Sequence, residues 1–184
     1  MKHFKTAAGL LLLTFLGAFF MQNSNAQNFT ITSNSFVNGQ TLPKEQIHSH
    51  FGCTGENTSP DLKWEGAPAG TKSFALIVHD PDAPRPTGWY HWIVLNIPAD
   101  VTSLKKGQQI NSPMTQIKND FGGVTYGGAC PPKGHGVHHY NFTIYALESA
   151  GLIPSPGSTP DSVERQVKKH AIASATITAT YGRE

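Results

Sequence analysis

Three short stretches of this chain hold side chains whose types and spacing could do chemistry. The first is Asp80-Pro81-Asp82-Ala83-Pro84, directly after an apolar run, where Pro81 stiffens the link between two carboxylates. An acidic turn with solvated Asp side chains is the plainer explanation. The second is Gly88-Trp89-Tyr90-His91-Trp92, an imidazole among three aromatic rings. A ring in such a partly dry place needs a hydrogen-bond partner. A carboxylate from the end of the preceding strand would fix its tautomer and raise its pKa. The third runs from Tyr126 to Tyr140 and carries Gly127, Gly128, Pro131, Pro132, His135, His138 and His139. Gly128 and its neighbours could aim backbone N–H groups into a small anion-binding concavity. His138 and Tyr140 alternate onto one face, while His139 points to the other. A hairpin loop with surface histidines is the plainer explanation here.

These parts admit three chemistries. Asp80, Asp82, His91 and His138 could converge on a metal, although no Cys-x-x-Cys spacing supports a zinc site. Cys130 with His138 could form a hydrolase pair, but a cysteine wedged before Pro131, in a chain holding one other cysteine, makes a poor nucleophile. A non-catalytic anion pocket uses every feature: imidazole and backbone N–H donors, with Tyr140, around a phosphate-sized ligand.

The elements that must position these residues are mostly strands. Short segments rich in β-branched and aromatic residues begin at Phe29, span 73–79, 89–97, 142–147 and 176–181, and are separated by Gly, Pro, Asn and Asp. One helix reads clearly after Thr159 and Pro160, with Val163, Val167, His170 and Ala171 on one face. A shorter helical turn is expected around Pro43–His48. The pattern predicts a mostly β domain, an antiparallel β-sandwich with one or two short helices.

Composition bounds the rest. The chain has 184 residues, 14 Lys+Arg, 12 Asp+Glu and a net charge of +2, room for one domain with no footprint for nucleic acid. Residues 1–26 pair a basic head with an apolar run from Ala7 to Phe20 and end in Ser24-Asn25-Ala26. That is the pattern of a cleaved signal peptide with the cut after Ala26, leaving a domain over 27–184 in the periplasm or secreted, without stable membrane insertion. Export makes Cys53 and Cys130 either a disulfide pair or two buried thiols.

The same motifs resemble the phosphatidylethanolamine-binding protein family, also called Raf kinase inhibitor-like proteins, and most closely its bacterial branch. The likeness covers Phe51 to Tyr181. It rests on Asp80-Pro-Asp-Ala-Pro84, on Trp89, His91 and Trp92 leading to Leu95-Asn-Ile97, and on Pro131-Pro-Lys-Gly134 leading to His138 and Tyr140. Cys53–Pro60 and Gly66–Phe74 also read like bacterial members. The resemblance implies a β-sandwich with a small pocket at one end for phosphate or a phosphorylated headgroup, built here by Asp80, Asp82, Pro84, Trp89, His91, Gly128, Pro131, His138 and Tyr140. It implies no cofactor or metal and no catalysis, and a kinase or protease as a protein partner met through the surface; a homodimer is compatible with it. Ala83–Pro84 is expected cis, because family members turn there. Cys130 stands where many eukaryotic members have Gly, and His139 where they commonly have Arg. The chain ends soon after Tyr181 in a strand, where eukaryotic members carry a helix over the pocket. With His91 and His138 as protonated donors, anion affinity is expected to rise as pH falls from about 8 toward 6, with little contribution from His135 or His139.

Overall fold

The computed structural model describes residues 28–184. The proposed signal segment, 1–26, lies outside them. In chain order the strands are β1 (Thr30–Thr32), β2 (Leu62–Glu65), β3 (Ser73–Asp80), β4 (Trp89–Pro98), β5 (Ser103–Leu104), β6 (Thr115–Gln116), β7 (Gly136–Leu147) and β8 (Ala171–Arg183). Helix α1 (Pro160–His170) precedes β8, and a single 3-10 turn occupies Lys44–Gln46. β1, β2 and β5 form a three-stranded sheet, and the other five strands form a second in the order β6-β4-β3-β7-β8, all antiparallel. No helix among the described residues is long and apolar enough to cross a membrane.

The central strand explains why its sequence is a continuous apolar run. Phe74, Leu76 and Val78 point into the core between the two sheets, with Trp64, Val94 and Phe142. Ala75 and Ile77 point the other way, where Val163 and Val167 of α1 cover them. A strand buried on both faces has no polar positions to alternate with. Full burial of the two helix valines contributes roughly 1.5–3 kcal/mol each. Glu164 pins the same helix by accepting from Tyr90 Oη at 2.7 Å and Tyr145 Oη at 3.0 Å. Burial pushes this carboxyl up, but the bonds from Tyr90, Lys168 and Tyr145 outweigh it and hold it below its ordinary value. Thr159 does not cap α1 through its side chain; its hydroxyl donates to Asp161 instead. Ala171, expected on the helix face, opens β8.

Cys53 and Cys130 are joined by a disulfide, with Cα atoms 6.0 Å apart. It ties the segment before Pro60 to the Pro131–Pro132 loop. Arg183, at the end of β8, holds that loop a second time by donating from Nε to the Pro131 carbonyl at 2.6 Å.

Candidate functional site

Strand register brings the three motifs together. β3 lies between β4 and β7, so its last residues, His79 and Asp80, meet the beginnings of both neighbours: His79 pairs with Tyr90 and Asn141, and Asp80 with Trp89. A β-bulge adds the decisive displacement. Val78 pairs with Trp92 and His79 with Tyr90, which leaves His91 as the extra residue of β4. The bulge lets consecutive residues both turn toward the inter-sheet side, His91 against Tyr140 and Trp92 into the core. Gly88 makes the return from β3 feasible. Its φ of +64° suits glycine, and a Cβ there would fall 2.4 Å from the Asp80 carbonyl oxygen.

At this end of the large sheet lies a cavity of about 490 Å³, a volume typical of small-molecule sites. Asp80, Pro84, Trp89, His91, Pro131, His138 and Tyr140 line it. Asp82 and Gly128 do not. Asp82 turns outward and accepts from the backbone N–H of His139 at 2.8 Å and from its ring Nδ1 at 2.7 Å. Burial raises the Asp82 carboxyl, but these bonds prevail and leave it below its ordinary value. Gly128 donates its N–H to Asn57 Oδ1 at 2.7 Å, so that donor is already used. The N–H groups of Gly127 and Ala129 are used in the same way, by the carbonyls of His91 and Gln46. Glycine at 128 serves close packing instead: a Cβ would lie 2.4 Å from the backbone nitrogen of His48.

The hydrogen-bond pairing also differs from expectation. Asp80 partners His138, not His91: His138 Nδ1 lies 2.7 Å from Asp80 Oδ2. His91 gives its Nδ1 hydrogen to the Gly127 carbonyl at 2.7 Å. A carbonyl can only accept, so the proton sits on Nδ1 and the neutral ring keeps a lone pair at Nε2. Burial then lowers the His91 pKa to about 4, more than the Gly127 bond and the charge of Asp80 raise it. His91 is therefore a neutral acceptor at physiological pH, and the expected role of protonated donor does not apply to it.

The Ala83–Pro84 bond is trans; the cis bond among the described residues is Ser112–Pro113. The chain reverses after β3 by another device. Asp80 Oδ1 accepts from the N–H groups of Asp82 and Ala83, at 2.8 and 3.1 Å, and closes the turn with its own side chain.

Several lining residues were not singled out from sequence: Phe51, Ala83, Arg85, Asp120, Phe121 and Pro132. Arg85 is the cation of the lining. It pairs with Asp120 at 3.1 Å and stacks over Trp89 at 4.9 Å from the ring centroid. His135, read as a bystander, places Nδ1 2.7 Å from Nε2 of His138. Its signal was present in the His135-x-x-His138 spacing.

Cys130 lines the cavity with its sulfur committed to Cys53, so it offers no thiolate. No group of three or more His, Cys, Asp or Glu side chains converges as a metal site among the described residues. Five buried side-chain polar atoms among the described residues lack a partner, and three of them, His91 Nε2, Tyr140 Oη and Trp89 Nε1, belong to the lining. Burial also raises the Tyr140 pKa and keeps its hydroxyl protonated. Unpaired buried polar groups are costly, and three of these five lie on residues that line this one cavity.

Comparison with known proteins converges on one family. The model of the phosphatidylethanolamine-binding proteins matches residues 32–182. YbcL of Escherichia coli is 42% identical over 177 residues, spanning 93% of this chain and 97% of its own. The crystal structure of YbcL, described as a new member of the mammalian family, superposes with a TM-score of 0.80 at 44% identity, covering 85% of this chain and 99% of that one. A homologue from Chlamydia trachomatis gives a TM-score of 0.72 at 34% identity, over 86% and 99%. A relative in Mycobacterium tuberculosis, named as the lipoprotein LppC, is 37% identical over 85% of this chain and 73% of its own.

Proposed function

This chain belongs to the phosphatidylethanolamine-binding protein family, and from that premise we propose that its cavity binds small phosphoryl-bearing molecules and acts by binding rather than catalysis. We place that activity outside the cytosol. The segment 1–26, the disulfide and the lipoprotein name of a relative support the placement.

The observation that carries the reading is a cavity whose lining residues include Trp89, His91 and Tyr140, each with a buried polar atom that has no partner in the protein. Two of these, an indole N–H and a phenol O–H, are donors suited to phosphoryl oxygens. Arg85 adds a guanidinium at the wall, and the aromatic rings of Trp89, Phe121 and Tyr140 suit an apolar body attached to the phosphoryl group.

Calorimetric titration of the purified, oxidised protein with methyl phosphate tests this. Micromolar-to-millimolar binding is expected, and Tyr140→Phe, which deletes only the unpaired hydroxyl, should weaken it roughly five- to tenfold with no loss of folding stability. Absence of binding, or full affinity in Tyr140→Phe together with a loss of stability, removes the proposal.

A further inference from the structure

β8 is the outer strand of the large sheet, with β7 as its one neighbour in it. Its outward backbone groups are only partly used. Toward its C-terminal end the segment 38–42 covers them. Thr178 O accepts from the Gly39 N–H at 2.7 Å, and Thr180 O from the Leu42 N–H at 2.8 Å. The N–H groups of Thr180 and Thr178 go to the Gln40 carbonyl and to Asn38 Oδ1, each at 2.9 Å. A strand has a period of two, so the N–H and C=O of Ser174 and Thr176 face the same way. The described residues supply no partner for them. At the other end a β-bulge closes the run. Ala146 pairs with Ala173 and Leu147 with Ala171, which leaves Ile172 as the extra residue. The free edge is one short stretch, 174–176, bounded on both sides. Natural sheets blunt such edges with lysine, proline or other charges. From Ala171 to Gly182 this strand has neither a charged residue nor a proline.

We propose that this edge pairs with the same edge of a second copy of the chain, antiparallel about a two-fold axis at Ala175, joining the two large sheets into one. In this register Ser174 of each copy lies opposite Thr176 of the other, and each such pair exchanges both of its N–H···O bonds. The side chains agree. Thr176 Oγ1 meets Thr143 Oγ1 at 2.9 Å, and exposed Ser174 on the same face extends that run of hydroxyls across the axis. Ala175 meets its own counterpart with Cα atoms about 4.5 Å apart, where a methyl group fits. Farther out, Ile172 comes opposite Thr178 of the other copy, where Asn38 is bonded and Val37 precedes it. Ile172 is 41% exposed and Val37 69% exposed, and the pairing brings these apolar side chains together. The bulge at Ile172 bends the chain away where the segment 38–42 occupies the edge, so the shared ladder ends where its space ends. No residue of β8 lines the cavity, so association and ligand binding are separable.

Sedimentation velocity of the oxidised protein, over about 1 μM to 1 mM, tests this and is expected to show a monomer–dimer equilibrium. Ser174→Pro deletes an outward N–H and leaves the bonds to β7 in place. Its urea midpoint should be nearly unchanged, while dimerisation weakens at least about tenfold. Val37→Asp, on the covering segment, should weaken it as well. Ala175→Cys puts two thiols at the axis and should give a disulfide-linked dimer on mild oxidation. Ile153→Cys, at an exposed position away from β8, should not.

A monomer across the whole range overturns the proposal. So does a dimer that Ser174→Pro and Val37→Asp both leave intact, because its interface then lies elsewhere. Cross-linking through Ala175→Cys that is no better than through Ile153→Cys overturns the two-fold register.

Discussion

His138 donates from Nδ1 to Asp80 Oδ2 across 2.7 Å, with both side chains buried at the end of the large sheet. One carboxylate thereby performs two tasks. Oδ2 ties β3 to β7, and Oδ1 closes the turn that carries Ala83 and Pro84 to the cavity wall. The far nitrogen of His138 continues the chain outward to His135, which is exposed.

Removing either member should therefore damage the fold as well as the site. Asp80→Ala leaves His138 Nδ1 and two backbone N–H groups without a partner, and a cost on the order of 3 kcal/mol is expected. His138→Ala strands a buried carboxylate at similar cost. Asp80→Asn keeps an acceptor for the turn and should cost less. Urea denaturation of the two alanine variants and of their double variant measures the coupling, expected above ~1 kcal/mol. Strictly additive losses would show that the contact contributes nothing.

His91 predicts an acid limb in stability. Its folded pKa lies near 4, below the ordinary 6.5, because burial disfavours the imidazolium. The unfolded chain therefore takes up a proton first as pH falls. Stability is full above about pH 6.5 and declines toward pH 4, by roughly 3 kcal/mol over the whole window from this residue. His91→Gln retains a donor for the Gly127 carbonyl and cannot titrate. Denaturation midpoints at pH 7, 6, 5 and 4 should fall less steeply in that variant. Parallel pH profiles would mean that His91 titrates in the folded protein as it does in the unfolded chain.

Which features were legible in the sequence follows from how local their causes are. The runs 73–79 and 89–97 became β3 and β4 almost to the residue, because burial on both faces leaves an uninterrupted apolar stretch. Pro160 marked the start of α1. Strands of two to four residues, β2, β5 and β6, have too few positions for a period and were not seen. Seven of the lining residues, Asp80, Pro84, Trp89, His91, Pro131, His138 and Tyr140, are identifiable as chemistry-bearing types beside strand ends. Their pairing is not. The bulge at His91 displaces its ring toward the Gly127 carbonyl, and a bulge leaves no mark in residue type. Likewise, the partner that occupies the Gly128 N–H, Asn57, lies 71 positions away.

Arg85 offers a prediction that separates charge from packing. It is about half exposed and makes its ion pair at the surface, where such pairs contribute little to folding. Arg85→Ala should change stability by less than about 1 kcal/mol. If a phosphoryl group sits in the cavity, the same change should weaken methyl phosphate binding roughly tenfold and flatten its dependence on salt. Titrations at low and high ionic strength check this. Unchanged affinity at both would place the anion out of reach of the guanidinium.

The disulfide gives the last test, because it links a stability device to the cavity wall. Cys53–Cys130 closes a loop across 77 positions, and Cys130 is followed by Pro131 and Pro132, which line the cavity. In the chain-entropy account such a loop stabilises the fold by about 4 kcal/mol, and engineered removals commonly show ~2–4. A Cys53→Ser/Cys130→Ser variant should lose that amount in urea denaturation. Arg183 still holds the Pro131 carbonyl in this variant. The loop should therefore remain near its place, and methyl phosphate affinity should drop only a few-fold at temperatures where the variant is folded. Adding Arg183→Ala removes the second tether, and affinity should then fall by more than the two separate losses multiplied. Multiplicative losses would mean that the disulfide and Arg183 do not share the work of positioning Pro131.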